Sequence, residues 1–156
     1  YTLCGVGYFT FGQYTKALAF FYKSDSLSSG GQLERSLYNL MLMGRTLADI
    51  GEYTTSDSVF QRGFALLKSS KDGKYAAGIY KGYAVLKLYQ WEGEEALHNL
   101  KIAEKLRGQE PEIERKDIYL NYARINISLG NLEEARLNVN KLCSLAENSE
   151  DQFHLG

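Results

Sequence analysis

Proline, cysteine and tryptophan are all scarce in this sequence. Its 156 residues include a single proline, Pro111, together with two cysteines and one tryptophan. Two cysteines cannot make a disulfide scaffold, so a packed core must hold the chain together. Because proline removes a backbone donor and breaks helix interiors, its scarcity favours long uninterrupted helices.

The sequence also lacks an excess of charge of one sign and any long apolar run. Its 18 Lys and Arg residues stand against 19 Asp and Glu residues, which gives a formal charge of −1. This balance argues against a nucleic-acid-binding domain and against a polybasic membrane-surface protein. The apolar runs are far shorter than the roughly 20 residues of a membrane-spanning helix. We therefore expect no nucleic acid as partner of this domain and no membrane insertion of this segment.

The first residues of the sequence do not show the pattern of a targeting segment. Residue 1 is Tyr rather than Met, and the pattern of a secretory signal peptide does not follow it. We therefore expect a processed form or a segment of a longer protein, whose array of helices continues beyond one or both ends. The sequence does not distinguish a cytoplasmic from a periplasmic location of this segment.

Glycine and tyrosine, by contrast, are abundant, with fifteen and twelve residues, and they fall into a repeat. Four small residues recur at intervals of 39, 40 and 39 positions: Ala17, Ser56, Ala96 and Ala135. Four positions after them stand Phe21, Phe60, Leu100 and Val139, and twelve before them stand Gly5, Gly44, Ala84 and Ala123. Residues four apart share one face of a helix. Each unit is therefore predicted to be helix, tight turn, helix, with Gly12, Gly51 and Gly130 in the turns.

This pattern resembles the tetratricopeptide repeat. The first unit fits the helix positions of that repeat most closely, with Tyr1, Cys4, Gly5, Tyr8, Ala17, Phe21 and Ser24. The third unit departs most, because Lys87 occupies the position of the large residues Tyr8 and Leu47 of the first two units, and Trp91 replaces the turn glycine. The closing proline of the repeat is missing from every unit. The period of 39–40 residues exceeds the usual 34 or so, and such longer units resemble those of bacterial regulatory proteins.

The resemblance implies an all-α fold, a right-handed α-solenoid of about four helix-turn-helix units and about eight helices. Residues 1–156 are expected to form a single repeat domain, with units at about 1–32, 33–73, 74–111 and 112–147. The tail, 148–156, is expected to be a linker or the start of a fifth unit. The predicted helices are 1–11, 15–27, 33–49, 54–69, 74–90, 93–107, 112–128 and 132–147.

No catalytic, cofactor-binding or metal-binding pattern accompanies the repeat. His98 and His154 have no Cys or second His at ligand spacing, so no metal site is predicted. Cys4 and Cys143 are interpreted as small core residues, and the aromatic residues at repeat positions, Tyr1 among them, as packing residues. The two glutamate runs, at 92–95 and 110–114, are attributed to helix N-termini, where the helix dipole favours negative charge. No catalytic residue and no cofactor are expected.

The resemblance further implies that the first helix of each unit lines a concave groove. Candidate groove residues for a peptide or protein ligand are Phe9, Tyr38, Arg45, Lys81, Tyr89, Asn121 and Arg124. Aromatic anchors would supply affinity, and the three cations would fix the register of the ligand. The alternative is that some of these side chains only pack against a neighbouring helix. Thr2 and Val6 replace the Lys and Asn with which some family members clamp a chaperone C-terminus, so no such clamp is predicted.

The function predicted from these features is a non-catalytic module that binds a protein or a peptide. Its long repeat suggests the sensory or regulatory segment of a larger bacterial protein of signalling or transcription. The alternative is a structural adaptor or assembly subunit of a multiprotein complex. Self-association through the ends of the array is a further candidate interaction.

Overall fold

The structure is a computed structural model that describes residues 1–27, 33–69, 75–108 and 116–154, with side chains up to residue 147. These ranges contain eight α-helices and no β-strand. The helices are α1 (Thr2–Thr10), α2 (Tyr14–Leu27), α3 (Leu33–Asp49), α4 (Tyr53–Leu67), α5 (Ala76–Tyr89), α6 (Gly93–Arg107), α7 (Lys116–Ser128) and α8 (Leu132–His154). Most predicted bounds agree within two residues. However, α8 continues into the predicted tail, and the predicted starts at 74 and 112 lie outside the described residues.

All four turns inside the helix pairs close in the same way. In the first turn, the N–H of Gly12 donates to the carbonyl of Phe9 at 2.9 Å, and the N–H of Gln13 donates to the carbonyl of Tyr8 at 2.9 Å. This double closure is the Schellman arrangement, which requires a residue in the left-handed region after the helix. Equivalent bonds close the turns after α3, α5 and α7. The repeat found in the sequence is therefore also a repeat of backbone geometry.

The left-handed residue is glycine in three of these turns and tryptophan in the other. Gly12, Gly51 and Gly130 have φ values of 69°, 85° and 76°, as predicted for turn glycines. Trp91 adopts the same conformation with φ 64°. A side chain in this region costs about 1–2 kcal/mol, because the Cβ crowds the following carbonyl. The third turn therefore keeps the geometry of the others at a local energetic cost.

In the first two pairs, the two helices pack on each other through a large side chain set against a glycine. The ring of Phe21 in α2 lies directly on Gly5 in α1, and the ring of Phe60 in α4 lies on Gly44 in α3. Both rings are fully buried, which is worth about 1.5–3 kcal/mol for each side chain. Three core clusters result, each bridging consecutive pairs: the first joins α2, α3 and α4, the second α3, α4 and α5, and the third α5, α6 and α7. The predicted roles of Gly5 and Gly44 as sites of close helix approach are confirmed.

The two ends of the described array differ from the prediction. Cys4 and Cys143 are exposed rather than buried, Tyr1 is 53% exposed, and Val139 is 41% exposed. The position equivalent to Cys4 in the second unit is Met43, which is fully buried in the cluster that joins α2, α3 and α4. No described helix packs on the corresponding face of α1. Repeat position therefore predicts burial only where a neighbouring unit covers it.

A candidate binding surface on the odd-numbered helices

The first helices of successive units form one continuous surface. Helix α3 contacts both α1 and α5, and α5 contacts α7. Among the described residues, the even-numbered helices make no contacts of comparable extent with each other. Helices α1, α3, α5 and α7 therefore lie on the inner side of the array, and the even-numbered helices diverge on the outer side. We call the inner side the groove surface.

Asp49 belongs to a network of contacts that spans three helices of the groove surface. Its carboxylate accepts the single Nε–H of Arg45, which is shared between both oxygens at 3.1 Å, and a hydrogen bond from the hydroxyl of Tyr89 at 3.0 Å. The guanidinium of Arg124 lies 5.4 Å from the centre of the Tyr89 ring, in cation–π geometry. Arg124 also approaches the side-chain oxygen of Asn121, at 3.5 Å. The structure thus links Arg45, Tyr89, Asn121 and Arg124 across α3, α5 and α7.

Asn121 is less available to a ligand than its position suggested. The side chain is 5% exposed, and its amide donates to the main-chain carbonyl of Asp117 at 2.8 Å. Its oxygen faces Arg124. Asn121 therefore positions Arg124, and it is Arg124 that presents polar hydrogens to the groove.

Lys81 belongs to a second ion-pair cluster on the same surface. Its ammonium contacts one carboxylate oxygen of Asp117, and Arg107 of α6 donates to the other at 2.9 Å. Partial burial acts to raise the pKa of Asp117, but the hydrogen bond and charge of Lys81, together with the charge of Arg107, outweigh it. The pKa of Asp117 consequently lies below its usual value, so the carboxylate is ionised at neutral pH.

Phe9 and Tyr38 lie outside both clusters. The ring of Phe9 packs 5.5 Å from that of Tyr14 in the same unit, and the ring of Tyr38 packs 5.9 Å from that of Tyr75. Both side chains are half-buried. These two aromatic residues therefore contribute to helix packing as well as to the surface.

The groove surface carries a net positive charge, and α7 contributes two exposed apolar side chains to it. The first cluster contains Arg45 and Arg124 with the single carboxylate of Asp49, and the second contains Lys81 and Arg107 with that of Asp117, so each has one more positive than negative charge. On α7, Leu120 is 47% exposed and Ile127 is 58% exposed. They lie on the same helix face, seven residues apart. The surface therefore offers cationic and apolar contacts together.

The repeat positions of Asp49 and Asp117, the two carboxylates that organise this surface, predict that they face the groove, but neither is among the seven candidate ligand-binding residues. Asp49 is four residues after Arg45, a spacing at which opposite charges pair on a helix, and this signal was available. Arg107 could not be found in the same way, because it lies on α6 and reaches Asp117 only through the packing of α6 on α7.

Three further features bear on function. Within the described part of the chain, no group of three or more His, Cys, Asp or Glu side chains is placed to hold a metal ion. None of the described helices combines the length and the apolar character needed to cross a membrane. An open depression of about 500 Å³ lies between α4, α5 and α6, lined by residues that include Gln61, Phe64 and Tyr80.

Successive helix pairs with equivalent turns and large-on-small packing define an α-helical repeat array. The sequence model of the tetratricopeptide repeat matches residues 116–149, which span α7 and most of α8. This match supports the predicted tetratricopeptide repeat family at residues 116–149, and the eight helices of the described residues confirm the predicted all-α fold. Repeats of this family are in general protein–protein interaction modules and are typically non-catalytic. Neither the curated proteins nor the solved structures gave a match.

Proposed function

We propose that the groove surface binds an extended peptide or a helix of a protein partner. The observation that carries this proposal is the network in which Asp49 links Arg45, Tyr89 and, through the Tyr89 ring, Arg124. These contacts hold the cations in place before a ligand arrives, so fewer side chains must be ordered on binding. A surface with a preformed polar centre beside exposed apolar residues suits such a ligand.

The charge of the surface narrows the chemistry of the ligand. Each ion-pair cluster retains one positive charge, and Leu120 and Ile127 remain exposed nearby on α7. A ligand with Asp or Glu side chains beside a large apolar residue would complement both features. No nucleic acid and no membrane insertion are part of this proposal.

Charge reversal in the groove tests the proposal. Peptides selected from a random library on the wild-type protein would be titrated against the double variant Arg45→Glu and Arg124→Glu. We expect affinity to fall at least tenfold, about 1.4 kcal/mol. The matched control reverses two exposed arginines of the even-numbered helices, Arg62 and Arg136. If the groove variant keeps its affinity while the control loses it, the ligand binds the outer side instead.

We further propose that this module is the sensory or regulatory segment of a larger bacterial protein of signalling or transcription, and that residues 1–156 form one domain. The long period supports the first part, and the core clusters that bridge consecutive pairs support the second. The parent reading frame tests the context: an adjoining kinase or helix-turn-helix domain is expected. A free-standing gene of this length would instead favour the alternative, a structural adaptor or assembly subunit with a constitutive partner.

A further inference from the structure

Trp91 is the most exposed of the large apolar residues in the described chain, at 86%. It occupies the left-handed position that Gly12, Gly51 and Gly130 fill in the other turns. Described helices lie on both sides of this turn, since α5 contacts α3 and α7. The exposure of Trp91 therefore does not come from a position at the end of the array, unlike that of Cys4. The other three turns reach the same backbone geometry with glycine, so the turn does not require the aromatic side chain that it exposes.

The backbone on either side of Trp91 is held in place. Lys87, the other departure from the repeat in this unit, has its ammonium 3.0 Å from Glu92 and 3.4 Å from Glu95. It also lies 5.3 Å from the centre of the buried Tyr83 ring. Because Glu92 directly follows Trp91, these ion pairs fix the turn that displays the indole. A side chain on an ordered backbone loses less entropy when it binds a partner.

A second exposed apolar residue lies directly after the adjoining turn. Gly93 packs so closely on Leu129 that a Cβ at Gly93 would lie 2.6 Å from Cδ2 of Leu129. The turn after α5 therefore adjoins the turn after α7. Leu132, which begins α8 beyond that turn, is 65% exposed. We call Trp91 and Leu132 the turn patch.

The surroundings of the turn patch are acidic. The glutamates at its border are Glu92, Glu94, Glu95, Glu133 and Glu134, all exposed, and they exceed the two basic residues that pair with them, Lys87 and Arg136, by three. The groove surface, in contrast, has an excess of positive charge. The two surfaces therefore select ligands of opposite charge.

We propose that the turn patch is a second protein-binding surface, separate from the groove, which binds a helical segment whose apolar residues are flanked by Lys or Arg. Trp91 is its central contact, since tryptophan is among the residues that most often dominate the energy of an interface. The glutamates around the patch would pair with the basic residues of the segment. The basic character of the helical segment is inferred from charge complementarity with these glutamates, and its binding position from the exposed indole of Trp91.

Trp91 itself reports on binding, because it is the only tryptophan of the chain. The probe is a synthetic amphipathic peptide with Leu at helical spacing and Lys elsewhere, and its matched control has Glu in place of every Lys. We expect the Lys peptide to shift the indole emission to the blue and to protect it from a soluble quencher. The Glu peptide is expected to do neither.

Three variants complete the test. Calorimetry with Trp91→Gly, which installs the residue of the other turns, is expected to show at least tenfold weaker binding of the Lys peptide. The double change Glu94→Lys and Glu134→Lys is expected to weaken binding to a similar degree, whereas Arg45→Glu with Arg124→Glu is expected to leave it unchanged. Equal binding of the Lys and Glu peptides would overturn the proposal, as would loss of binding in the groove variant. A blue shift with zwitterionic lipid vesicles but with neither peptide would assign the patch to a membrane surface and would also overturn it.

Discussion

The ring of Phe60 occupies the space that a side chain at Gly44 would need. A Cβ at Gly44 would lie 2.7 Å from Cζ of this ring, and a Cβ at Gly82 would lie 2.8 Å from the same atom. Gly44 belongs to α3 and Gly82 to α5. One side chain of α4 therefore sets the approach of two helices from consecutive units, and the spacing of the groove surface depends on this contact.

Gly44→Ala should destabilise the protein by about 1–3 kcal/mol, because the added methyl group forces the buried ring to move. The matched control is Gly7→Ala in α1, where an added Cβ meets no atom within 4 Å. There, the higher helix propensity of alanine should stabilise the protein by about 0.5–1 kcal/mol. Urea denaturation measures both changes. Equal stabilisation by the two substitutions would mean that Phe60 moves without cost.

Asp49→Asn should lower the stability by about 1–2 kcal/mol, because a charged acceptor of Arg45 and Tyr89 becomes neutral. The Asp49 side chain is only 12% exposed, so water compensates little for the loss. The matched control is Asp25→Asn, which removes an ion pair with the 55% exposed Arg62. That change should cost less than about 0.5 kcal/mol. Thermal unfolding compares the two, and a larger loss for Asp25→Asn would contradict the central role given to Asp49.

Asp117→Asn should remove part of the pH dependence of stability. The pKa of Asp117 is lower in the folded protein than its usual value, owing to Lys81 and Arg107. A lowered folded pKa contributes stability above the unfolded pKa, and this contribution is lost as the pH falls through the folded pKa. At pH 7 the variant should be about 1 kcal/mol less stable, a value that allows for screening of the half-exposed pair.

The difference in stability between the wild-type protein and the Asp117→Asn variant should shrink as the pH falls below about 4. Urea midpoints measured from pH 7 to pH 2 test this. The control is Glu133→Gln, because both side chains of the Glu133–Arg136 ion pair are exposed to solvent. A difference that stays constant over this range would show that the loss arises from packing rather than from charge.

The repeat was predictable from the sequence because its signals are local. A left-handed glycine, a small residue five positions later and a large one four beyond that lie within ten residues, and the backbone fixes their relation. Asp49 and Tyr89 are 40 residues apart, and their hydrogen bond depends on how α3 packs on α5. The exposure of Cys4 depended on the absence of a described neighbour, which no residue of α1 encodes. Contacts between units could therefore be identified only from the structure.

Trp91→Gly should leave the protein as stable as before or make it more stable by up to about 1 kcal/mol. Glycine relieves the strain of the left-handed conformation, although it also adds conformational freedom to the unfolded chain. Little packing is lost, because the indole is 86% exposed. The reverse exchange, Gly51→Trp, places a side chain at φ 85° and should cost about 1–2 kcal/mol. Denaturation of both variants measures the effect. A clear loss of stability in Trp91→Gly would assign the tryptophan a role in the fold, whereas the expected result leaves binding as the reason for its place in the turn.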